Sequence, residues 1–355
     1  MKTESKRLLS ADIKSRRKVK LLFLILFMLL IIFLILDVFL GSVSIRPSEV
    51  IDALFRHTGS NFETIILKFR LPKAITALIV GVALSLSGLQ MQTVFRNPMA
   101  GPYVLGISSG ASLGVAFVIL GFSSGMTLDS LHGLGNWILV VASWVGAGAV
   151  MLLIMIISSK VKDIMTVLIL GIMLSSGISA VVTIMQYFSN ETMLKAYVIW
   201  TMGSLGNLTS DQLNVLLISV SAGVILSLFS SKWLNALLLG ENYATSIGLN
   251  VKFARTIIFV CTSILAGSVT AFCGPIGFIG IAVPHIARIL FRTSDHKVLI
   301  PGTILAGGTI MLISDIISQL PGSESILPVN AVTSLIGIPV VIWMIFRNRK
   351  YSGSF

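Results

Sequence analysis

Charged side chains are scarce in this chain, in which Lys, Arg, Asp and Glu together make up only 11% of 355 residues. Hydrophobic residues make up 55%, and the mean hydropathy is +0.96. A soluble domain of this length does not need so much apolar surface to fill its core. The composition therefore indicates a protein that crosses the bilayer many times.

Residues that carry redox, metal or nucleotide chemistry are also few. The two cysteines, Cys261 and Cys273, lie twelve residues apart in apolar sequence, which on one helix separates them by about 18 Å. They are too far apart to form a disulfide with each other. Cysteine and histidine residues show no metal-ligand spacing, and the sequence has no Gly-x-x-x-x-Gly-Lys-Ser/Thr loop. We therefore expect no metal or cofactor bound by this chain and no ATP hydrolysis by it.

Acidic residues are fewer than basic ones, and the basic excess is uneven. Residues 1–20 hold eight Lys or Arg against Glu4 and Asp12, so this tail carries half of the net charge of +12. Behind it, an apolar run from Leu21 continues to Leu40, which is too long for a signal-peptide core and has no cleavage site after it. The pattern predicts a retained first span with a cytoplasmic N-terminus and gives no reason to expect a nucleic-acid partner.

Apolar runs of membrane length predict an all-α integral membrane fold with ten transmembrane helices. They lie at about 20–40, 74–94, 104–122, 137–158, 164–188, 212–230, 253–273, 276–291, 300–320 and 329–346. With the N-terminus inside, 20 of the 26 Lys and Arg residues fall on the cytoplasmic side, as the positive-inside rule requires. We expect a multi-pass protein of the cytoplasmic (inner) membrane with both termini cytoplasmic. It consists of a basic tail at 1–20, one ten-span domain at 21–346 and a short tail at 347–355.

Ten spans divided five and five give two halves of opposite orientation, because each half crosses the membrane an odd number of times. This is the inverted-repeat plan of many transporters, in which broken helices at corresponding positions mark the pathway. The sequence contains two such breaks, one in each half.

The break in the second half lies between Cys273 and Pro284. Gly274, Gly277 and Gly280, followed by Pro284, prevent one continuous helix. Pro284 also leaves the Gly280 carbonyl without its helical partner. Irregular backbone at membrane depth persists only where protein or water covers it. The segment therefore either lines a pathway or lets helices pack closely.

The break in the first half contains Asn97 and Pro98, and span three then opens with Gly106-Ile107-Ser108-Ser109-Gly110. Its place corresponds to the break in the second half, so we predict that both segments line the pathway. The same stretch fits the Gly-x-Ser-x-Gly pattern of hydrolases, with His285 as a conceivable base. A nucleophile elbow needs a strand before it, however, and this one opens a predicted membrane span. An intramembrane hydrolase is therefore disfavoured.

Five basic residues depart from the charge pattern because they lie in the outer loop between spans one and two. They are Arg46, Arg56, Lys68, Arg70 and Lys73. A loop of about thirty residues tolerates a few translocated charges without any function. Alternatively, the residues form a basic rim that attracts an acidic partner, which is the interpretation we prefer.

The cytoplasmic loop at 231–252 predicts two short amphipathic helices separated by Gly240. Its apolar residues Trp233, Leu237, Leu238 and Tyr243 have no obvious cover in the rest of the sequence. An uncovered apolar patch indicates a partner protein. The alternative is a pair of helices that lie on the lipid surface.

The segment from Thr192 to Asn207 contains a short helical stretch at about 195–201 that ends at Gly203 and Gly206. It is either a re-entrant piece at the outer mouth or an ordinary outer loop with interfacial aromatic residues.

Several motifs occur in order over about residues 20–350. They are Arg70-Leu71-Pro72-Lys73, Arg96-Asn97-Pro98 with Leu105-Gly106 and Gly110-Ala111, Leu239-Gly240-Glu241, the stretch from Gly274 to Gly280 with Pro284-His285-Ile286-Ala287-Arg288, and Gly337-Ile338-Pro339. Together they resemble the permease subunits of ABC importers for iron–siderophore complexes, haem and cobalamin.

This resemblance implies a homodimer with a path along its two-fold axis, two cytoplasmic ATPase subunits that use the ATP, and an extracytoplasmic substrate-binding protein. It places the ATPase coupling element at 232–249, where Gly240, Glu241 and Gly248 accompany the apolar residues named above, and it makes spans five and ten pathway walls. It also implies that Arg70 and Lys73 dock the binding protein. Some members carry a further docking arginine where this chain has Gln319. Docking here then rests more on Arg70 and Lys73, or the partner has a different acidic set.

The predicted function is import of an iron chelate, a ferric siderophore or haem, into the cytoplasm by alternating access. Cobalamin is the alternative cargo within the same family. An ion-coupled secondary transporter is the alternative class, and it usually places carboxylates or histidines near the membrane midplane. The candidates here are Asp37, His285 and Asp315, and none lies clearly at the centre of a span. For Asp315 we expect a hydrogen-bond acceptor between packed helices.

Overall fold

The computed structural model describes residues 2–55, 61–121, 137–161, 163–320 and 326–352. Within these ranges the chain is helical and contains no β-strand, which confirms the predicted all-α class. The α-helices, numbered in chain order, are α1 (Lys2–Phe39), α2 (Pro47–Phe55), α3 (Asn61–Ile65), α4 (Leu71–Val94), α5 (Ile107–Ile119), α6 (Trp137–Lys160), α7 (Ile164–Tyr187), α8 (Glu191–Thr201), α9 (Ser210–Phe229), α10 (Ser231–Leu238), α11 (Glu241–Ser246), α12 (Val251–Thr262), α13 (Ser268–Cys273), α14 (Ile279–Phe291), α15 (His296–Ser318) and α16 (Val329–Ser352).

Seven helical stretches in the described ranges are long and apolar enough to cross a membrane. They are Arg17–Phe39, Asn61–Val94, Trp137–Lys160, Ile164–Tyr187, Ser210–Phe229, Val251–Cys273 and His296–Ser318. Three shorter apolar helices, Ile107–Ile119, Ile279–Phe291 and Val329–Met344, lie where the sequence predicts spans three, eight and ten. The first two are short because each begins only after a break: a 3₁₀ turn at Pro102–Leu105 precedes α5, and irregular backbone precedes α14.

The centre of the fold is α4, and small residues explain how its neighbours reach it. A methyl group placed on Gly81 would lie 2.3 Å from the carbonyl oxygen of Gly307 in α15. One placed on Gly88 would lie 1.7 Å from the carbonyl oxygen of Gly280 in α14. The backbones therefore touch directly, as small residues permit in membrane helices.

In the described part of the chain, two π-helical turns interrupt the long helices, and no pattern in the sequence indicates them. Ile66–Arg70 precedes α4, and Ser263–Gly267 joins α12 to α13. A π turn holds one residue more per turn than an α-helix, so it rotates the side chains that follow.

Polar residues fix the starts of five helices. The side chains of Asp163, Asn190, Thr209, Asn250 and Asp295 each accept a hydrogen bond from a backbone N–H in the first turn of α7, α8, α9, α12 and α15. Such caps satisfy donors that have no partner inside the helix.

The bundle has two ends that matter below. We call the end where α1 finishes and α4 begins the Arg70 end, because Arg70 joins the two. We call the other the Gly240 end, because α4 finishes there and the following Arg96 lies next to Gly240, between α10 and α11.

Candidate translocation pathway and partner surfaces

The structure brings the two broken segments together in the interior. The Tyr103 hydroxyl, in the first segment, donates a hydrogen bond to the Ile276 carbonyl in the second. Pro102 packs so closely on Gly280 that a methyl group at Gly280 would lie 2.7 Å from the Pro102 ring. Neither contact could be read from the sequence, because the two segments are more than 170 residues apart.

Most glycines of these segments serve close packing. Gly106 and Gly274 have φ angles of 75° and 74°, which side chains other than glycine rarely adopt. A methyl group on Gly110 would lie 2.5 Å from the carbonyl oxygen of Gly146, and Gly280 is equally confined. Gly277 differs, since it is half-buried with its amide donating to Asn330 Oδ1 at 2.9 Å.

The two serines of the first segment, Ser108 and Ser109, lie half-buried in the first turn of α5. This turn follows a 3₁₀ turn and not a strand, so the setting of a nucleophile elbow is not met. His285 is engaged elsewhere: its Nε2 lies 2.8 Å from the Pro98 carbonyl oxygen and donates to it.

Side-chain hydrogen bonds shape the first broken segment and join α4 to α14 beside it. Asn97 Oδ1 accepts the Met99 amide at 2.9 Å and so shapes the turn. Gln92 Nε2 donates to the Ile281 carbonyl at 3.0 Å, while Arg288 donates to Gln92 Oε1. Sequence reasoning missed Gln92, because a single glutamine in an apolar helix gives no signal of its partners. Pro284 lies buried inside α14, one turn before Arg288.

The short helix expected at about 195–201 is present as α8, and its end packs on the second break. The Ser204 amide donates to the Cys273 carbonyl at 2.9 Å, and Asn330 donates from its backbone to Met202 at 3.3 Å. A cavity of about 530 Å³ opens beside this contact, with Trp200 and Phe272 among its walls. The segment that follows α8 therefore packs against the broken backbone after Cys273, which favours the re-entrant interpretation.

Arg70 is not an exposed rim residue, and that expectation was wrong. It is only 7% exposed. Its guanidinium donates to the carbonyl oxygens of Val38 and Phe39 at 3.2 and 2.8 Å, and also to that of Val43. These carbonyls belong to the end of α1 and the turn after it, where helical partners are lacking. Arg70 caps α1.

Lys73 is also engaged at the Arg70 end. Its Nζ lies 3.0 Å from Asp315 Oδ1. The Gln319 Nε2 donates to Asp37 Oδ1 at 2.9 Å and to Asp315 Oδ2 at 3.0 Å, so the residue that replaces a possible docking arginine bridges two buried carboxylates. The expected packing role of Asp315 is confirmed. This cluster, Asp37, Lys73, Asp315 and Gln319, ties α1, α4 and α15 together.

Other residues of the basic loop remain exposed at the Arg70 end. Arg46 and Lys68 are exposed, as are the aromatic rings of Phe55 and Phe69. Arg56 lies outside the described residues. The exposed cations of this end therefore differ from the pair that the sequence suggested.

The two predicted short helices at the Gly240 end are present as α10 and α11. Gly240 between them has a φ of 110°, and Gly248 after them a φ of 86°, so both positions need glycine. The predicted exposed face is partly wrong. Leu237 is only 3% exposed, and Trp233 and Leu238 are half-buried, because this face of α10 packs on α4 and α15.

The exposed apolar residues at the end of α10 and along α11 recur every four positions. Leu239, Tyr243 and Ile247 are 64%, 49% and 57% exposed. We call these three the Tyr243 row. An ion pair between Glu241 and Arg255 holds α11 against α12, so the row is presented on a fixed element.

A polar network links α10 to the start of α15 and to α4. Asn235 Nδ2 donates to Asp295 Oδ1 at 2.7 Å, and the His296 amide donates to Asn235 Oδ1 at 2.9 Å. The His296 ring lies 2.8 Å from Thr93 Oγ1. The pKa of Asp295 is lowered from its ordinary value, chiefly because the Lys297 amide donates to its carboxylate. Asn235 and His296 thus connect α10 to α4 by hydrogen bonds.

Known proteins resemble the chain over almost its full length. The profile of the FecCD transport family matches residues 29–347. An ABC transporter permease protein of Methanocaldococcus jannaschii is 34% identical over 348 residues, which cover 93% of this chain and 97% of that protein. The vitamin B12 import system permease protein BtuC of Salmonella typhimurium is 35% identical over 289 residues, 81% of this chain and 85% of that protein.

Solved structures share the arrangement of helices. One of a metal-chelate type ABC transporter in an inward-facing conformation superposes with a TM-score of 0.78, at 27% identity, over 92% of this chain and 99% of that chain. The structure of PsaBC from Streptococcus pneumoniae in complex with a Fab superposes on this chain with a TM-score of 0.50 at 15% identity, which is a likeness of fold alone. The matched family profile, the identity to permeases and the shared fold agree, and this chain belongs to the FecCD transport family of ABC importer permeases.

Proposed function

We propose that this chain is the permease subunit of a binding-protein-dependent ABC importer that moves a bulky metal chelate into the cytoplasm. The observation that carries the proposal is the meeting of the two broken segments, one from each half of the chain, in the interior of a membrane protein. Backbone of this kind is tolerated where it lines a pathway or is covered by protein. The chain itself would bind neither cofactor nor metal, and ATP would be used by its partners.

The proposed topology has ten spans in five-plus-five inverted arrangement, within one domain at 21–346 between the tails 1–20 and 347–355. The seven long apolar stretches and three shorter ones support that count. Both termini would be cytoplasmic, which puts the Gly240 end inside and the Arg70 end outside. A second copy of the chain would complete the path, with α7 and α16 as its walls beside Ser108, Ser109 and Gly277.

ATP-driven movement would enter through α10 and α11. The Tyr243 row is an exposed apolar surface on a short element, which suits a partner protein better than water. The partner is a separate ATPase subunit. Its movement would reach α4 through the network of Asn235 and His296.

The binding protein would dock at the Arg70 end through the exposed Arg46 and Lys68, with the exposed rings of Phe55 and Phe69 beside them. Lys73 is partly accessible, but a partner carboxylate would have to replace Asp315 to reach it. Arg70 would stabilise this surface indirectly, because its hydrogen bonds hold the end of α1.

The cargo proposed is an iron chelate, a ferric siderophore or haem. Cobalamin is the second candidate, and a specific observation favours it: the BtuC permeases, which are named for vitamin B12 import, are 35% identical to this chain. The ion-coupled alternative loses support, because Asp315 is paired with Lys73 and His285 with the Pro98 carbonyl.

Uptake into proteoliposomes tests the proposal. The permease is reconstituted with its ATPase and offered the binding protein loaded with a ferric siderophore, haem or cobalamin, with and without ATP. We expect ATP-dependent uptake of one cargo and none with an ATPase variant that binds but does not hydrolyse ATP. Uptake driven by an ion gradient without ATP would overturn the proposal.

A further inference from the structure

A cavity of about 830 Å³ lies at the Gly240 end, between the last part of α4, α14, the end of α10 and the part of α16 around Trp343. Its walls are formed by Gln92, Arg96, Pro98, Leu238, His285, Arg288, Ile289, Arg292, Trp343 and Met344. Three of these residues are arginines, one is a histidine, and none is acidic. Pockets that hold small ligands are typically of about 300–1,000 Å³.

Two of the three guanidinium groups have no partner among the residues that the structure describes. Arg288 donates to Gln92, and His285 to the Pro98 carbonyl, so these two side chains are fixed in the wall. The side chains of Arg96 and Arg292 are exposed and make no hydrogen bond or ion pair with any residue that the structure describes. The partial negative charges at the nearby helix ends compensate only a fraction of three full positive charges.

The backbone at these two arginines is unusual. Arg96 and Arg292 have φ angles of 47° and 50°, a conformation that favours glycine. Each follows the end of a helix, where glycine or asparagine would relieve the strain. Strained residues of this kind concentrate at functional sites. Arginine at both positions therefore points to a need for the side chain itself.

The remaining walls indicate which anion enters. Leu238, Ile289, Trp343 and Met344 contribute apolar side chains to the walls, and α16 exposes Ile342 and Phe346. Tryptophan and exposed apolar residues at a helix end are typical of the lipid–water interface. Guanidinium groups recognise phosphate with paired hydrogen bonds.

We propose that this cavity binds the phosphate headgroup of an anionic phospholipid from the leaflet at the Gly240 end. Arg96 and Arg292 contact the phosphate, Arg288 keeps the cavity positive, and the acyl chains leave along α16 past Trp343. Basic pockets between membrane helices are known to bind anionic headgroups in this way. The site places a lipid against Leu238 and Arg96, where α10 meets α4.

Native mass spectrometry of the full-length permease tests the site. The protein is exchanged into mixtures of phosphatidylglycerol and phosphatidylcholine, and bound lipid is counted for the parent chain and for Arg96→Gln/Arg292→Gln. We expect preferential retention of phosphatidylglycerol, with affinity lowered about fivefold for each arginine removed. The matched control, Lys160→Gln/Lys252→Gln, removes two exposed charges outside the cavity and should retain the lipid.

Two outcomes would overturn the proposal. One is equal retention of phosphatidylglycerol by the arginine variant and the parent, when both show the same melting temperature. The other comes from a lipid-free arm titrated with inorganic phosphate: arginine-dependent binding of phosphate without any preference for phosphatidylglycerol would assign the site to a soluble anion. If the melting temperature falls only in Arg96→Gln/Arg292→Gln, the variant Arg96→Lys/Arg292→Lys is measured as well. It keeps the charges and should retain the lipid.

Discussion

At the scale of single residues, the contact of Gly88 with Gly280 is the least tolerant point of the fold. Both partners are backbone, so neither can move aside as a flexible side chain would. We predict that Gly88→Ala destabilises the protein by about 2 kcal/mol or more, since overpacking outweighs the better helix propensity of alanine. Thermal unfolding in detergent measures the effect.

The control for this prediction is Gly148→Ala. Gly148 lies inside α6, and a methyl group there would meet nothing within 4 Å. This variant should be as stable as the parent or slightly more stable. Similar melting temperatures for the two variants would contradict the packing argument.

Residue roles were predictable where chemistry alone decides them. Asp315, a carboxylate in an apolar helix, had to find a donor, and it does. Arg70 was misjudged because the sequence shows the charge but not the carbonyl groups at the end of α1 that the guanidinium satisfies. Burial of a cation depends on where another helix ends, and no local pattern contains that information.

At the scale of elements, the Tyr243 row is the test of coupling. We predict that Tyr243→Asp/Ile247→Asp weakens binding of the ATPase subunit and uncouples ATP hydrolysis from uptake, because both side chains lie on an exposed apolar surface. Co-purification and ATP hydrolysis in proteoliposomes with and without loaded binding protein measure it.

A control variant with the same added charge separates the loss of apolar surface from the effect of the charge itself. Asn242 and Thr245 are exposed polar positions of the same short helix, and Asn242→Asp/Thr245→Asp should leave coupling near the parent level. Full coupling in the Tyr243→Asp/Ile247→Asp variant would remove α11 from the proposed mechanism. Leu237→Asp is unsuited to this purpose, since Leu237 is buried and its loss would unfold α10.

The sequence predicted the elements better than their faces. Glycine and proline marked both breaks and the hinge at Gly240, because these residues act through local backbone geometry. The prediction of the exposed face of α10 was partly wrong, because Leu234 and Leu237 pack on α4 and α15, which are distant in sequence. The π turns at Ile66–Arg70 and Ser263–Gly267 left no compositional trace.

At the scale of the whole molecule, charge at the two ends should direct assembly. We predict that Arg46→Glu/Lys68→Glu slows association of the binding protein at least about tenfold at low ionic strength, and that the difference shrinks at high salt. Exposed rim charges act chiefly on the association rate. Surface plasmon resonance on the reconstituted permease at two salt concentrations measures it.

The control for docking reverses equally exposed charges at the Gly240 end. Lys160→Glu/Lys252→Glu should leave association of the binding protein unchanged, since the proposed topology puts these residues on the other side of the membrane. An equal loss in both variants would show that net charge and not this surface governs the encounter.

The bridge made by Gln319 also bears on how this family diverges. Gln319 is neutral, so the positive charge in contact with this pair of carboxyl groups comes from Lys73. A relative with arginine at position 319 has a positive charge at the end of α15 as well. Selection to keep a cation at position 73 is then weaker. Positions 37, 73, 315 and 319 are therefore expected to change as a set during evolution, although they span nearly the whole chain.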